Sequence, residues 1–87
     1  MKLMLLKTKA CPKCEVVYRF LSQMDVPFQV IDLVDQQEMA ESYKVMSVPT
    51  TILLDNLNRE LNRCIGVNPM ELEEMVHIMK KGEESHV

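Results

Sequence analysis

Leu3, Met4, Leu5 and Leu6 form an unbroken apolar run, the pattern of a central strand buried on both faces. A short polar loop follows at positions 8–10. From position 12 to about 24 the apolar residues are Val16, Val17, Phe20, Leu21 and Met24, which share one helical face. Pro12 suits the first turn of that helix, where no backbone donor is required. Asp25, Val26 and Pro27 end it. Phe28, Val30 and Ile31 then predict a second strand closing at Asp32. Strand, helix and strand within about 30 residues form a right-handed parallel unit.

Asp35 followed by Glu38 matches a capping box and predicts a short second helix, with Met39, Ala40 and Tyr43 turned inward. Ser47, Val48, Pro49 and Thr50 read as an abrupt extended loop. A third strand is expected over 51–54 and a fourth over 60–65, joined through a turn-rich stretch at 55–58 short enough for a hairpin. Gly66 breaks the pattern. Asn68, Pro69 and Glu71 supply a cap, a first-turn proline and an early acid. The last helix carries a stripe of Leu72, Met75, Val76 and Met79, with acids early and Lys80 and Lys81 late, matching the helix dipole. Gly82 is expected to stop this helix. One domain is expected over 1–82, with a frayed tail over 83–87.

Composition adds constraints. With 87 residues there is room for one domain, and a chain of this size buries roughly 60–65% of its unfolded surface. The apolar fraction of 47% is ordinary, and most of the eight methionines fall at core-like spacings. A net charge of −3 argues against a nucleic-acid partner. No run reaches membrane-spanning length or the length of a signal-peptide core. Three cysteines, an odd number, do not form a secreted disulfide framework, so a reducing cytoplasm is the expected compartment.

The chemistry centres on Cys11-Pro12-Lys13-Cys14, at the point where the first strand runs into the first helix. Two thiols at this spacing can close to a disulfide and reopen with little movement. The partial positive charge of a helix start favours a thiolate on Cys11. Lys13 adds a positive charge nearby, and Lys9 is a second candidate. Cys14, one turn into the helix, is expected to be the more buried thiol. The competing reading makes Cys11 and Cys14 half of a zinc site. That site would need further ligands, and only Cys64, His77 and His86 remain as soft donors.

The order βαβαββα, with Cys-x-x-Cys at the first strand–helix junction and Val48-Pro49-Thr50 before the third strand, resembles the thioredoxin and glutaredoxin superfamily over residues 1–81. The resemblance implies an α/β thioredoxin fold, a four-stranded mixed sheet flanked by three helices. Length and the Cys-Pro-x-Cys form look like glutaredoxin. Ile31-Asp32, Ala40, Tyr43, Val45 and Val48-Pro49-Thr50 look more like thioredoxin. Gly66-Val67-Asn68-Pro69 lacks the glycine pair with which glutaredoxins hold glutathione. A thioredoxin-like protein of glutaredoxin size is implied.

The superfamily places a cis-proline at Pro49, facing the thiols, with the backbone edge at Val48 open to a substrate strand. An ordinary strand-initiating proline is the alternative. Ile65, Gly66 and Val67 fall where thioredoxins complete an apolar rim; the alternative makes Ile65 and Val67 core and Gly66 simply the break between strand and helix. Cys64 reads as a structural thiol. Lys2, Lys7 and Lys9 read as solvated strand-edge charges or, alternatively, as a basic collar that steers acidic partners.

The implied activity is reduction of protein disulfides by a monomer. Cys11 attacks, Cys14 resolves, and Pro12 and Lys13 support them. No bound metal or organic cofactor is implied. Reducing equivalents would come from NADPH through thioredoxin reductase, or from glutathione. The rivals are a glutathione-dependent glutaredoxin, an electron donor to ribonucleotide reductase, and a metal- or protein-binding module without turnover.

Overall fold

The computed structural model describes residues 1–84. The elements run β1 (Lys2–Lys7), α1 (Pro12–Gln23), β2 (Gln29–Asp32), α2 (Gln37–Ser42), β3 (Thr50–Leu54), β4 (Glu60–Ile65) and α3 (Pro69–Glu84). The four strands lie in the order β2-β1-β3-β4. β1 pairs parallel with β2 and antiparallel with β3, and β3 pairs antiparallel with β4. This is the thioredoxin fold, with a mixed sheet and three helices.

The apolar run in β1 has a direct structural cause, because both faces of the sheet are covered. Leu3 and Leu5 pack with Val17, Leu21, Leu53, Cys64, Leu72, Met75, Val76 and Met79, beneath α1 and α3. Met4 and Leu6 pack on the other face with Ile31, Ile52 and Leu54, against Met39 and Tyr43 of the α2 region. Each fully buried leucine of this kind contributes about 1.5–3 kcal/mol of transfer free energy. Burial in β3 is likewise continuous.

Several local expectations change. In α1 the inner face is Cys14, Val17 and Leu21, while Val16 lies outside at 51% exposure. Cys14 occupies the inward step one turn before Val17, so Val16 is rotated out to solvent. Val30 is also exposed, on the edge strand β2. The Asp35–Glu38 capping box does not form. The cap position is Gln36, whose side chain makes no cap hydrogen bond, and the Asp35 carboxylate accepts from Lys9 Nζ instead.

α3 does not stop at Gly82 but continues to Glu84. Gly82 serves close approach: a Cβ there would lie 2.5 Å from Cε of Met1. Of the tail expected over 83–87, Glu83 and Glu84 belong to α3, and 85–87 lie outside the described residues. At the start of α3 the expected cap is present, with the Glu71 N–H donating to Asn68 Oδ1 at 3.3 Å. The methionines divide. Met4, Met75 and Met79 are core, whereas Met46 and Met70 are exposed.

Candidate active site

β1 ends at Lys7, and the chain turns through Ala10, at φ 53°, into α1. Cys11 is the N-cap of that helix in an extended conformation, with Pro12 opening the first turn. Proline at this position gives up no helical hydrogen bond. The Cys11 side chain takes the cap role usually filled by an oxygen. Its Sγ accepts the Cys14 N–H at 3.2 Å, and its carbonyl accepts the Glu15 N–H at 3.2 Å.

Cys11 and Cys14 are joined as a disulfide, with Cα atoms 5.2 Å apart. The two residues differ in burial. Cys14 is fully buried, and Cys11 is only half-buried. Cys11 borders a shallow depression of about 360 Å³ lined with Ala10, Pro12 and Glu15. Pro12 and Lys13 are exposed beside it. A second cavity of about 300 Å³, lined in part by Lys2, Phe28 and Met79, lies at the start of β1, away from the thiols.

The Val48–Pro49 bond is cis. Pro49 is buried and Val48 half-buried. The loop is tied to its surroundings at this point. The Gly66 N–H donates to the Pro49 carbonyl at 2.8 Å, Thr50 Oγ1 donates to the Ser47 carbonyl at 2.7 Å, and Thr50 pairs in register with Ile65. Gly66 has φ 81°, a left-handed conformation that a side chain would strain. Ile65 and Val67 flank it at 62% and 40% exposure, so they are surface residues and not core.

The lysines do not form a collar. β1 carries Lys2 and Lys7 to opposite ends of the strand. Lys7 lies 4.0 Å from Glu15. Lys9 is held by Asp32 at 2.9 Å and Asp35 at 3.1 Å. Its bond to Asp32 and then that to Asp35 raise the Lys9 pKa, and the same contact with Lys9 lowers that of Asp32. The charge of Lys9 is therefore spent on tying the loop before Cys11 to the end of β2.

Cys64 is fully buried, and its thiol lies 3.9 Å from the carbonyls of Gly66 and Asn68. Burial is the main cause that pushes this thiol up to about 11, and Glu71 adds to it. His77 is exposed on α3, and His86 lies outside the described residues. Among the described residues no three His, Cys, Asp or Glu side chains come together as a metal site. No described helix is long and apolar enough to cross a membrane.

Two features of this region had no sequence signal. The hydroxyl of Thr51, level with Leu5 and Cys64 across the sheet, is buried without a hydrogen-bond partner among the described residues. Arg63 on β4 reaches the carbonyls of Tyr43 and Lys44 at the end of α2. Neither belongs to a motif, and an arginine in a half-polar strand reads as solvated.

The glutaredoxin family model matches residues 3–57, from β1 to the hairpin after β3. The chain belongs to the glutaredoxin family. It is thus a thiol–disulfide oxidoreductase of the thioredoxin/glutaredoxin superfamily. It is 37% identical over 76 residues to the SPbeta prophage-derived thioredoxin-like protein YosR of Bacillus subtilis, covering 87% of this chain and 95% of that one.

Thioredoxins share the fold of this glutaredoxin-family chain. The crystal structure of the Trypanosoma brucei brucei protein superposes with a TM-score of 0.79 at 21% identity, over 92% of this chain and 74% of that one. Thioredoxin 1 of Thermosipho africanus gives 0.68 at 23% identity, over 97% and 96%. The divided resemblance in the sequence thus persists in the comparisons. The family match ends at residue 57, while the named relatives are thioredoxin-like.

Proposed function

We propose that this protein reduces disulfides in other proteins in the manner of a small thioredoxin. The observation that carries the reading is the unequal burial of the two cysteines at the mouth of α1, with Cys11 half-buried and Cys14 fully buried behind it. In the reduced form the Cys11 thiolate attacks one sulfur of a substrate disulfide. The substrate's other sulfur leaves as a thiolate and takes a proton. Cys14 then gives up its proton and attacks Cys11 Sγ. The second substrate thiolate leaves, and the Cys11–Cys14 disulfide forms. Two electrons pass to the substrate.

The cis Val48–Pro49 edge, with Ile65 and Gly66 beside it, is the proposed docking place for an extended substrate segment. Exposed apolar side chains at Ile65 and Val67 support that assignment, since water-facing apolar groups gain from being covered. Pro12 and Lys13 support the attacking sulfur. The protein acts in a reducing cytoplasm, with no bound cofactor.

NADPH acting through thioredoxin reductase is the proposed source of electrons, because Gly66-Val67-Asn68-Pro69 offers no glycine pair for glutathione. The glutaredoxin family match favours glutathione as the second reading. Insulin reduction, driven separately by NADPH with thioredoxin reductase and by glutathione, tests both. The wild type is expected to turn over with the reductase, and Cys11→Ser and Cys14→Ser are not. Equal rates in all three proteins would remove the enzymatic reading, and turnover with glutathione alone would select the second.

A further inference from the structure

Arg63 lies on β4 two residues before Ile65, and all three of its guanidinium nitrogens donate hydrogen bonds. Nη2 donates to the Tyr43 carbonyl at 2.5 Å and Nη1 to the Lys44 carbonyl at 3.2 Å. Nε and Nη2 also fork onto the Glu60 carboxylate at 3.0 and 2.8 Å. Tyr43 is the C-cap of α2, so the carbonyls held here lie at the end of a helix, where helical donors run out. Lys44 has φ 53°, and the Val45 N–H turns back to the Ala40 carbonyl at 2.8 Å. From this anchored turn the chain runs through 45–48 to Pro49.

The far end of that loop is held by the same strand and the residue after it. The Gly66 N–H bonds the Pro49 carbonyl at 2.8 Å, and Thr50 pairs with Ile65. The loop is thus gripped at its entry by Arg63 and at its exit by Gly66. Between them lie exposed Met46 and half-buried Val48. A guanidinium suits this task because its planar fork holds two carbonyls and a carboxylate together, and its bonds are charge-assisted. Glu60 keeps the charge paired while the carbonyls are held.

We propose that Arg63 is a positioning residue that sets the place of the Val48–Pro49 edge relative to β4, and so governs substrate docking without touching the thiols. This rests on the reading of that edge as the docking site. A small disulfide that needs only the reachable sulfur is independent of the edge, whereas a protein disulfide is not. Loss of Arg63 therefore separates the two substrates.

The test compares wild type, Arg63→Gln, Arg63→Lys and Glu60→Gln, each with insulin and with the small aromatic disulfide dithionitrobenzoate, alongside thermal melts. Arg63→Gln is expected to raise KM for insulin about tenfold while kcat and the dithionitrobenzoate rate stay within about twofold. Arg63→Lys recovers part of the loss, since an ammonium keeps the charge and can donate to the carbonyls but lacks the planar fork that also holds Glu60. Glu60→Gln leaves KM in place, because the carbonyl contacts survive. Equal losses on both substrates, an unchanged insulin KM in Arg63→Gln, or an equal rise in Glu60→Gln overturns the proposal. If Arg63→Gln melts below the assay temperature, Arg63→Lys carries the same comparison. A wild type that turns over dithionitrobenzoate but shows no saturable rate with insulin removes the docking-edge reading itself, before any variant is compared.

Discussion

Cys14 turns its backbone N–H onto the sulfur of Cys11, 3.2 Å away, from within the first turn of α1. One residue thus supplies the hydrogen bond that steadies the outer sulfur and also the inner sulfur that closes on it. A thiolate at Cys11 would accept that N–H more strongly than the disulfide does, because ionic acceptors make the stronger bonds.

That arrangement predicts an order of reactivity. In the reduced protein at neutral pH, iodoacetamide is expected to label Cys11 first, with Cys14 and Cys64 labelled only after unfolding, and peptide mapping reads the order. The Cys14→Ser variant should accumulate mixed disulfides with insulin on a non-reducing gel, while Cys11→Ser should not. The reverse pattern would exchange the roles of the two sulfurs.

Cys64 makes a prediction about alkaline stability. Its thiol is raised from an ordinary 9.0 to about 11, chiefly by burial. The folded chain keeps this proton where the unfolded chain has released it. The associated stability is therefore complete below pH 9, and it declines as pH rises from 9 toward 11. The loss at the upper end is about 2–3 kcal/mol, from about 1.4 kcal/mol per unit. Urea unfolding of the oxidised protein at pH 7.5 and about 10.5 should show a decline that Cys64→Val lessens by about 2 kcal/mol. Equal declines in both proteins would mean that burial does not hold the proton.

Thr51 predicts a gain. Its hydroxyl is buried with no partner among the described residues, and such a group costs about 1–3 kcal/mol in lost hydration. Thr51→Val keeps the branched shape between Leu5 and Cys64 and removes the unpaired oxygen. The variant is expected to be more stable by about 1 kcal/mol, seen as a higher urea midpoint at unchanged slope. A lower midpoint would show that the hydroxyl is satisfied in solution.

Ile65 separates docking from folding. It is 62% exposed, on the strand end that pairs with Thr50. Ile65→Asp should change stability by less than about 0.5 kcal/mol, as exposed substitutions do. It should raise KM for insulin about tenfold, through lost apolar contact and an added charge. Unchanged kinetics would remove Ile65 from the docking rim.

Much of this was legible in the chain. The apolar run at 3–6 announced a strand covered on both faces, and the 60–65 strand and the α3 stripe of Leu72, Met75, Val76 and Met79 read correctly from periodicity. The helix α1 was legible as an element, but its inward face was not. Val16 and Val17 are adjacent apolar residues, and only the position of the sheet decides which is covered. Asp35 had a local partner three residues away and a distant one in Lys9, and the charged distant partner won.

Element order, the strand–helix junction at Cys11 and the helix start at Asn68 are consequences of short-range chemistry, namely side-chain period, caps and proline's missing donor. Those preferences act over one or two turns of chain, so a linear reading reaches them. The exposure of Ile65 and Val67, the orphaned Thr51 hydroxyl and the hold of Arg63 on the end of α2 were decided only when the sheet brought distant segments together. Burial and hydrogen bonding between residues about 20 positions apart, as for Arg63 and Tyr43, depend on which surfaces meet, and no local pattern encodes that.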